Sequence, residues 1–224
     1  MSRGILYGVS VGPGDPELMT LKAVRIIGEC SVIAAPVTHG RNQAALSIVE
    51  KICDLSGKTV IKPRFTMSRD REVLAESHLR IAGELSEYLD GGSDVAFITI
   101  GDISVYSTFW YIARILMERG YEAEICAGVT SFCAAAAAVK EPLVLGSEPL
   151  MVLPASCAEL EKLCDVKGTK VIMKSGRSVS DIRGKLNGKS VYAVENCGYE
   201  NQRIFRSPDG IDEDSGYFTT IIVK

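Results

Sequence analysis

Short apolar runs alternate with amphipathic stretches along the first half of the chain. Residues 5–11 are an apolar run that ends in Gly12-Pro13-Gly14-Asp15-Pro16, the pattern of a strand entering a tight loop. Apolar positions at helical spacing follow over 21–27, with Thr20 placed to cap them. Residues 31–36 predict a second buried strand, 43–52 a helix that Gly57 closes off, and 59–61 a third strand. The longest amphipathic segment, 70–89, brings Val73, Leu74, Leu79, Ile81, Leu85 and Leu89 toward one face and stops at Gly91-Gly92. The continuous apolar run 95–100 predicts a central parallel strand, 109–117 a helix ending at Gly120, and 121–126 another strand. Strand, loop and helix in repetition predict a parallel sheet with helices on both faces.

Beyond Gly128 the pattern changes. An Ala-rich helix over 130–139 is closed by Pro142. Strands are predicted at 150–153, 170–173, 190–194, 203–206 and 218–223, with short helices near 158–164 and 179–186. Several of these strands follow one another without a helix between them, which predicts a mixed sheet. The expected organisation is α/β, with a mostly parallel N-terminal domain over 1–127 and a mixed C-terminal domain over 128–224.

Composition narrows the function. The 224 residues are 46% hydrophobic and 24% charged, as in an ordinary globular protein, and no apolar run is long enough to cross a bilayer. The start of the chain is too rich in Gly and Pro to read as a signal peptide, so a cytoplasmic location is expected. A net charge of −3 argues against nucleic-acid binding, and any acidic substrate must be met by a local group of Lys and Arg. The seven cysteines are scattered and form no CxxC pair, so they read as reduced thiols. His39 and His78 share no ligand spacing, and no protein-held metal is expected.

Three glycine-centred loops follow predicted parallel strands, where open α/β sheets bind ligands. The first, 8–17, superficially resembles a dinucleotide fingerprint. However, Pro13 and Pro16 remove backbone donors, and Asp15 and Glu17 repel phosphate. A glycine turn approached by a neutral or cationic ligand is the better reading. The second, 98–107, carries Gly101 for close approach and Asp102 as a carboxylate. The third, 127–132, places Thr130 and Ser131 at a helix start, where they either cap the helix or meet a ligand.

The ordered set formed by Gly8–Thr20, Gly101–Phe109 (GDISVYSTF), Gly128–Ala138 (GVTSFCAAAAA), Met173-Lys174 and Glu195–Arg203 resembles the tetrapyrrole (corrin/porphyrin) methylases through essentially the whole chain. Within that family, ELMTLKA and YSTF are most similar to the precorrin-2/cobalt-factor II C-20 methyltransferases. The family's Gly-Asp-Pro stands here as Gly101-Asp102-Ile103, and its Pro-Gly-Val-Thr as Ala127-Gly128-Val129-Thr130, which predicts slightly softer loops.

The resemblance implies S-adenosylmethionine as methyl donor, held in a cleft between two α/β domains of a homodimeric enzyme. Carried over by motif, the cofactor shell is Pro13, Gly101, Asp102, Ile103, Val105, Tyr106, Thr130, Ser131 and Met173, with Cys197, Thr219 and Thr220 resting on shorter matches. A meso carbon that gains a methyl must lose a proton to a base or to water. Asp102 and Tyr217 are the candidates, although Asp102 could instead hold its own loop and Tyr217 could be an aromatic anchor. Lys174 is expected to meet a carboxylate of the macrocycle, with Arg177, Lys62 and Arg64 near strand ends as further cations. The alternatives are methylation at another tetrapyrrole position or on a macromolecule, a non-enzymatic tetrapyrrole or nucleotide carrier, and, least fitting, a Rossmann oxidoreductase.

Overall fold

The computed structural model describes residues 2–37, 43–66, 68, 70–175, 179–186, 188–212 and 215–224, the side chains of 179–181 excepted. His39 and Arg177 lie outside the described residues. The chain forms two compact units, Met1–Thr130 and Ser131–Lys224.

In the first unit the order is β1 (Leu6–Ser10), α1 (Leu21–Glu29), β2 (Val32–Ala34), α2 (Ala44–Val49), β3 (Thr59–Ile61), α3 (Arg71–Asp90), β4 (Val95–Thr99), α4 (Phe109–Glu118) and β5 (Ala123–Cys126). The sheet order is β3-β2-β4-β1-β5, and every neighbouring pair is parallel. Side chains alternate across it. Leu6, Val32, Ala34, Val95 and Phe97 join Ile81, Leu85 and Leu89 of α3 and Phe109, Ile112 and Leu116 of α4 in one core. The intervening Ile33, Ala96 and Ile98 are equally buried, on the face where α1 and α2 pack. Burial on both faces explains why these strands read as unbroken apolar runs.

The helix boundaries follow local chemistry. Thr20 Oγ1 accepts from the Ala23 N–H at 3.1 Å and starts α1. Asp70 accepts from the Glu72 N–H at 2.8 Å and starts α3, which Gly92 ends at φ 79°. The apolar face of α3 differs from the one the pattern predicts. Ile81, Leu85 and Leu89 are buried with Ser77 and Ala82, whereas Val73 and Leu79 are 40% and 49% exposed. At about 100° per residue, Leu79 points nearly opposite Ile81. Helix α2 is shorter than the 43–52 expected, and Ile52 beyond it is exposed.

The second unit runs α5 (Ser131–Val139), β6 (Leu150–Pro154), α6 (Leu160–Asp165), β7 (Thr169–Met173), α7 (Val179–Lys185), β8 (Val191–Glu195), β9 (Arg203–Phe205) and β10 (Thr219–Val223). Its sheet, β6-β7-β10-β8-β9, is mixed: β6 and β7 are parallel, and the remaining pairs are antiparallel. Leu160, Ile172, Ile182, Leu186, Ala193 and Ile221 lie in its core, and the small residues of α5 let that helix sit close on β8 and β10.

The seven cysteines are free thiols. Burial, with repulsion from Asp94, pushes Cys30 up to about 12, so it acts as a small core hydrophobe. Among the described residues, no helix is long and apolar enough to cross a membrane, and no cluster of His, Cys, Asp and Glu has a metal-binding arrangement.

Candidate active site

Strands β4, β1 and β5 are adjacent and parallel, so their carboxyl ends bring the three glycine loops to one edge of the first sheet. The loops are tied to one another. The Val11 N–H donates to Thr99 O at 2.9 Å, and the Gly101 N–H donates to Gly12 O at 2.7 Å. Both glycines are left-handed, with φ 76° and 71°, which a side chain would strain. Ser10 closes β1 and is fully buried, and its Oγ accepts from the Ile103 N–H at 2.9 Å. The Ile103 carbonyl accepts from the Trp110 indole at 3.0 Å.

Asp102 is 8% exposed and spends its oxygens on neighbouring loops. One oxygen accepts from the N–H of Ser104 at 2.8 Å and from its hydroxyl; the other accepts from the Gly128 N–H at 2.6 Å. Burial alone would push this carboxyl up, but the bonds from Gly128 and Ser104 outweigh it, and the net shift is downward. Asp102 is therefore an ionised carboxylate of low basicity that joins the second loop to the third. Gly128 fits because a Cβ there would stand 2.5 Å from Ser10 Cβ and 3.0 Å from Gly101 O.

In the first loop, Asp15 accepts from the Glu17 N–H at 2.9 Å and caps a single 3-10 turn, Pro16–Leu18. That donor is consumed within the loop.

Of the residues expected at the cofactor, Pro13, Gly101, Asp102, Ile103, Val105, Tyr106 and Thr130 share this edge of the first unit. The Ile103 side chain is 0% exposed and lies against Phe109 and Gly8 in the core, which leaves no side-chain surface for a ligand. Tyr106 is 42% exposed and held at φ 51°. Ser131 opens α5, in the second unit.

The remaining candidates gather at one edge of the second sheet. Antiparallel pairing places the first residue of β10 beside the ends of β7 and β8, with Thr219 opposite Glu195. Met173 ends β7, and Lys174 follows at φ 59°, an unusual conformation for a residue with a side chain. The buried Ser175 hydroxyl donates to Thr219 O at 2.9 Å and pins that turn. Lys174 Nζ stands 6.0 Å from the Tyr217 ring centroid. Desolvation holds the Lys174 ammonium below its usual range and pushes the Tyr217 phenol up, although Tyr217 is 53% exposed and the open side limits that push. Thr219 and Thr220 are 1% and 5% exposed, and the Thr219 hydroxyl donates to Gly216 O at 2.8 Å. Cys197 is buried just beyond Asn196, itself at φ 50°. Lys62 donates to Gln43 at 3.0 Å, and Arg64 bridges to Val37, both on the β3 side of the first unit.

The sequence motifs include some of the residues that hold these turns but do not reveal that role. Glu195, 5% exposed, accepts from Arg203 at 2.6 Å and 2.5 Å and from the Gly216 N–H at 2.5 Å, so it fixes the turn that carries Tyr217. The available signal was an acidic and a basic residue eight apart, which pair directly across β8 and β9. Ser104 lies within the GDISVYSTF segment but is given no role by it, and Ser10 and Ser175 carry no such signal, because an isolated serine reads as any small polar residue.

Residues 5–210 match the family model described as Tetrapyrrole (Corrin/Porphyrin) Methylases. The chain is 34% identical over 226 residues to a probable cobalt-precorrin-2 C(20)-methyltransferase of Methanocaldococcus jannaschii, covering 98% of this chain and 95% of that protein. It is 35% identical to the cobalt-precorrin-2 C(20)-methyltransferase of Salmonella typhimurium, covering 99% and 97%. Among solved structures, the uroporphyrin-III C-methyltransferase of Thermus thermophilus complexed with S-adenyl homocysteine superimposes with a TM-score of 0.73 at 20% identity, over 98% of this chain and 97% of that one.

Proposed function

The chain belongs to the tetrapyrrole (corrin/porphyrin) methylases, and we propose that it transfers a methyl group from S-adenosylmethionine to the C-20 meso carbon of a precorrin-2-type macrocycle in cobalamin biosynthesis. The observation that carries this reading is full-length identity of 34% and 35% to proteins named for C-20 methylation.

The first-sheet edge fits a cationic donor by its chemistry. It offers an ionised carboxylate at Asp102 and left-handed glycines that let a ligand reach the backbone, and its first turn turns its donor inward. When bound, S-adenosylmethionine supplies a methyl group already activated by a sulfonium. Pro13, Gly101, Val105, Tyr106 and Thr130 are assigned to hold and orient it, with Asp102 keeping the second and third loops in register and supplying negative charge. Met173, Cys197, Ser131, Thr219 and Thr220, in the second unit, are the further residues we assign to cofactor binding.

The macrocycle gains one methyl and loses one proton from the same carbon. Asp102 is a weak base with its oxygens engaged, and the Tyr217 phenol is protonated at neutral pH. We therefore assign the proton to water, with Tyr217 orienting the ring or the departing proton. Lys174 is assigned to a substrate carboxylate. Its depressed pKa reflects a poorly solvated ammonium that an anion would stabilise. Orientation of two bound reactants supplies much of the rate in such a transfer. We assign the active protein to the cytoplasm as a homodimer; light scattering on the purified protein reads its oligomeric state.

Incubation with S-adenosylmethionine and either precorrin-2 or its cobalt complex tests the reading. Product mass should rise by one methyl, and NMR should place it at C-20, with the cobalt complex the better substrate, as the names of the two relatives suggest. A methyl at any other carbon would move the assignment to a different position on the ring. No transfer to either macrocycle would remove it.

A further inference from the structure

We propose that Ser10 is a positioning residue for the methyl donor, acting through its hydrogen bond to the Ile103 amide; this inference rests on the methyl-transfer reading above. Ser10 is the last residue of the central strand β1, with β4 on one side and β5 on the other. It is fully buried, and its hydroxyl oxygen lies 2.9 Å from the Ile103 nitrogen. All three ligand-edge loops converge on it. The first runs through it, leaving the strand at the next residue. The second is anchored to it through Ile103. The third crosses so close that a Cβ on Gly128 would meet Ser10 Cβ at 2.5 Å.

The Ile103 amide has no partner in the sheet, because β4 has ended at Thr99 and the chain has already turned through Gly101 at φ 71°. A buried N–H in this place needs an acceptor, and Ser10 Oγ is the one the fold supplies. With its carbonyl held by Trp110 and its side chain locked in the core, Ile103 is restrained at every polar atom of its backbone. Asp102, immediately before it, is thereby held where its carboxylate reaches both Ser104 and Gly128. Removing the Ser10 hydroxyl frees the Ile103 amide and lets the Asp102 loop relax. The effect should fall on donor binding and leave the tetrapyrrole contacts of the second unit unchanged.

The test is calorimetric titration of the full chain with S-adenosylhomocysteine, together with thermal melts. Ser10→Ala should weaken binding about tenfold, the scale set by leaving one buried donor unpaired. The macrocycle KM should stay within twofold. In an Ile103→Pro background there is no amide hydrogen to accept, so adding Ser10→Ala should change the affinity less than twofold. Ser10→Cys retains an acceptor atom and should fall between the wild type and Ser10→Ala, which keeps a reading if the alanine variant melts early. Equal affinity for wild type and Ser10→Ala would overturn the proposal, as would a full tenfold loss persisting in the proline background. If the unaltered protein itself binds no S-adenosylhomocysteine, the methyl-transfer reading fails, and this inference falls with it.

Discussion

At the scale of single residues, two side chains carry charge that the surrounding structure has shaped in opposite ways. Asp102 is surrounded by donors, and its folded pKa lies below the usual unfolded value of about 3.9. A depressed carboxyl contributes stability that is fully present above the unfolded value and is lost as pH falls through the folded one. Asp102→Asn cannot accept from Gly128 with its amide nitrogen. It should therefore be less stable than the wild type at pH 7, and the gap should shrink as pH drops below about 4; urea midpoints across that range read the difference. Burial strips part of the hydration from the Lys174 ammonium and holds it below its usual range, a loss that an anionic ligand would offset. Lys174→Ala should raise the macrocycle KM about tenfold, the scale of one charge-assisted contact, with donor affinity unchanged. Its φ of 59° adds an independent handle. Lys174→Gly removes the same charge but suits the left-handed backbone, so it should be more stable than Lys174→Ala by about 1 kcal/mol in urea unfolding, at an equal cost in KM.

At the scale of elements, local signals located helices and strands better than they identified buried faces. Helix α3 began and ended where Asp70 and the glycine pair predicted, yet its core face followed Ile81, Leu85 and Leu89 and left Val73 and Leu79 in solvent. Counting apolar residues over twenty positions blurs a stripe that advances about 100° per residue, and only the packing of α3 against α4 and the sheet selects which stripe is used. Gly83, inside α3, has no atom within 4 Å of where a Cβ would stand. Gly83→Ala should stabilise the protein by about 0.8 kcal/mol, the helix-propensity difference, and an unchanged or lowered melting temperature would show that this position is crowded after all. The loops behave differently from the helices. The Asp102 loop is held by the Ser10–Ile103 bond, a contact between residues 93 apart in sequence that no window along the chain can register.

At the scale of the whole molecule, the chain consists of two α/β units, each with its own sheet and its own edge of assigned ligand residues. A donor that binds the folded state alone must stabilise it by mass action. S-adenosylhomocysteine at a hundred times its dissociation constant should add about 2.7 kcal/mol, read as a rise in melting temperature. The sequence by itself determined the division into a parallel half and a mixed half, because strands buried on both faces must be apolar throughout and strands joined without helices cannot all run parallel. It also determined the ordered glycine motifs and, through them, the family. The tertiary structure decided which of the candidate side chains are engaged by the core or by a neighbouring loop. It turned Ile103 into the core, buried Thr219 and Thr220, engaged the oxygens of Asp102 and recruited Ser10 and Glu195. The reason is physical: a hydrogen bond or a packed face is a property of two distant segments brought together, and the identity of either residue alone leaves its partner open.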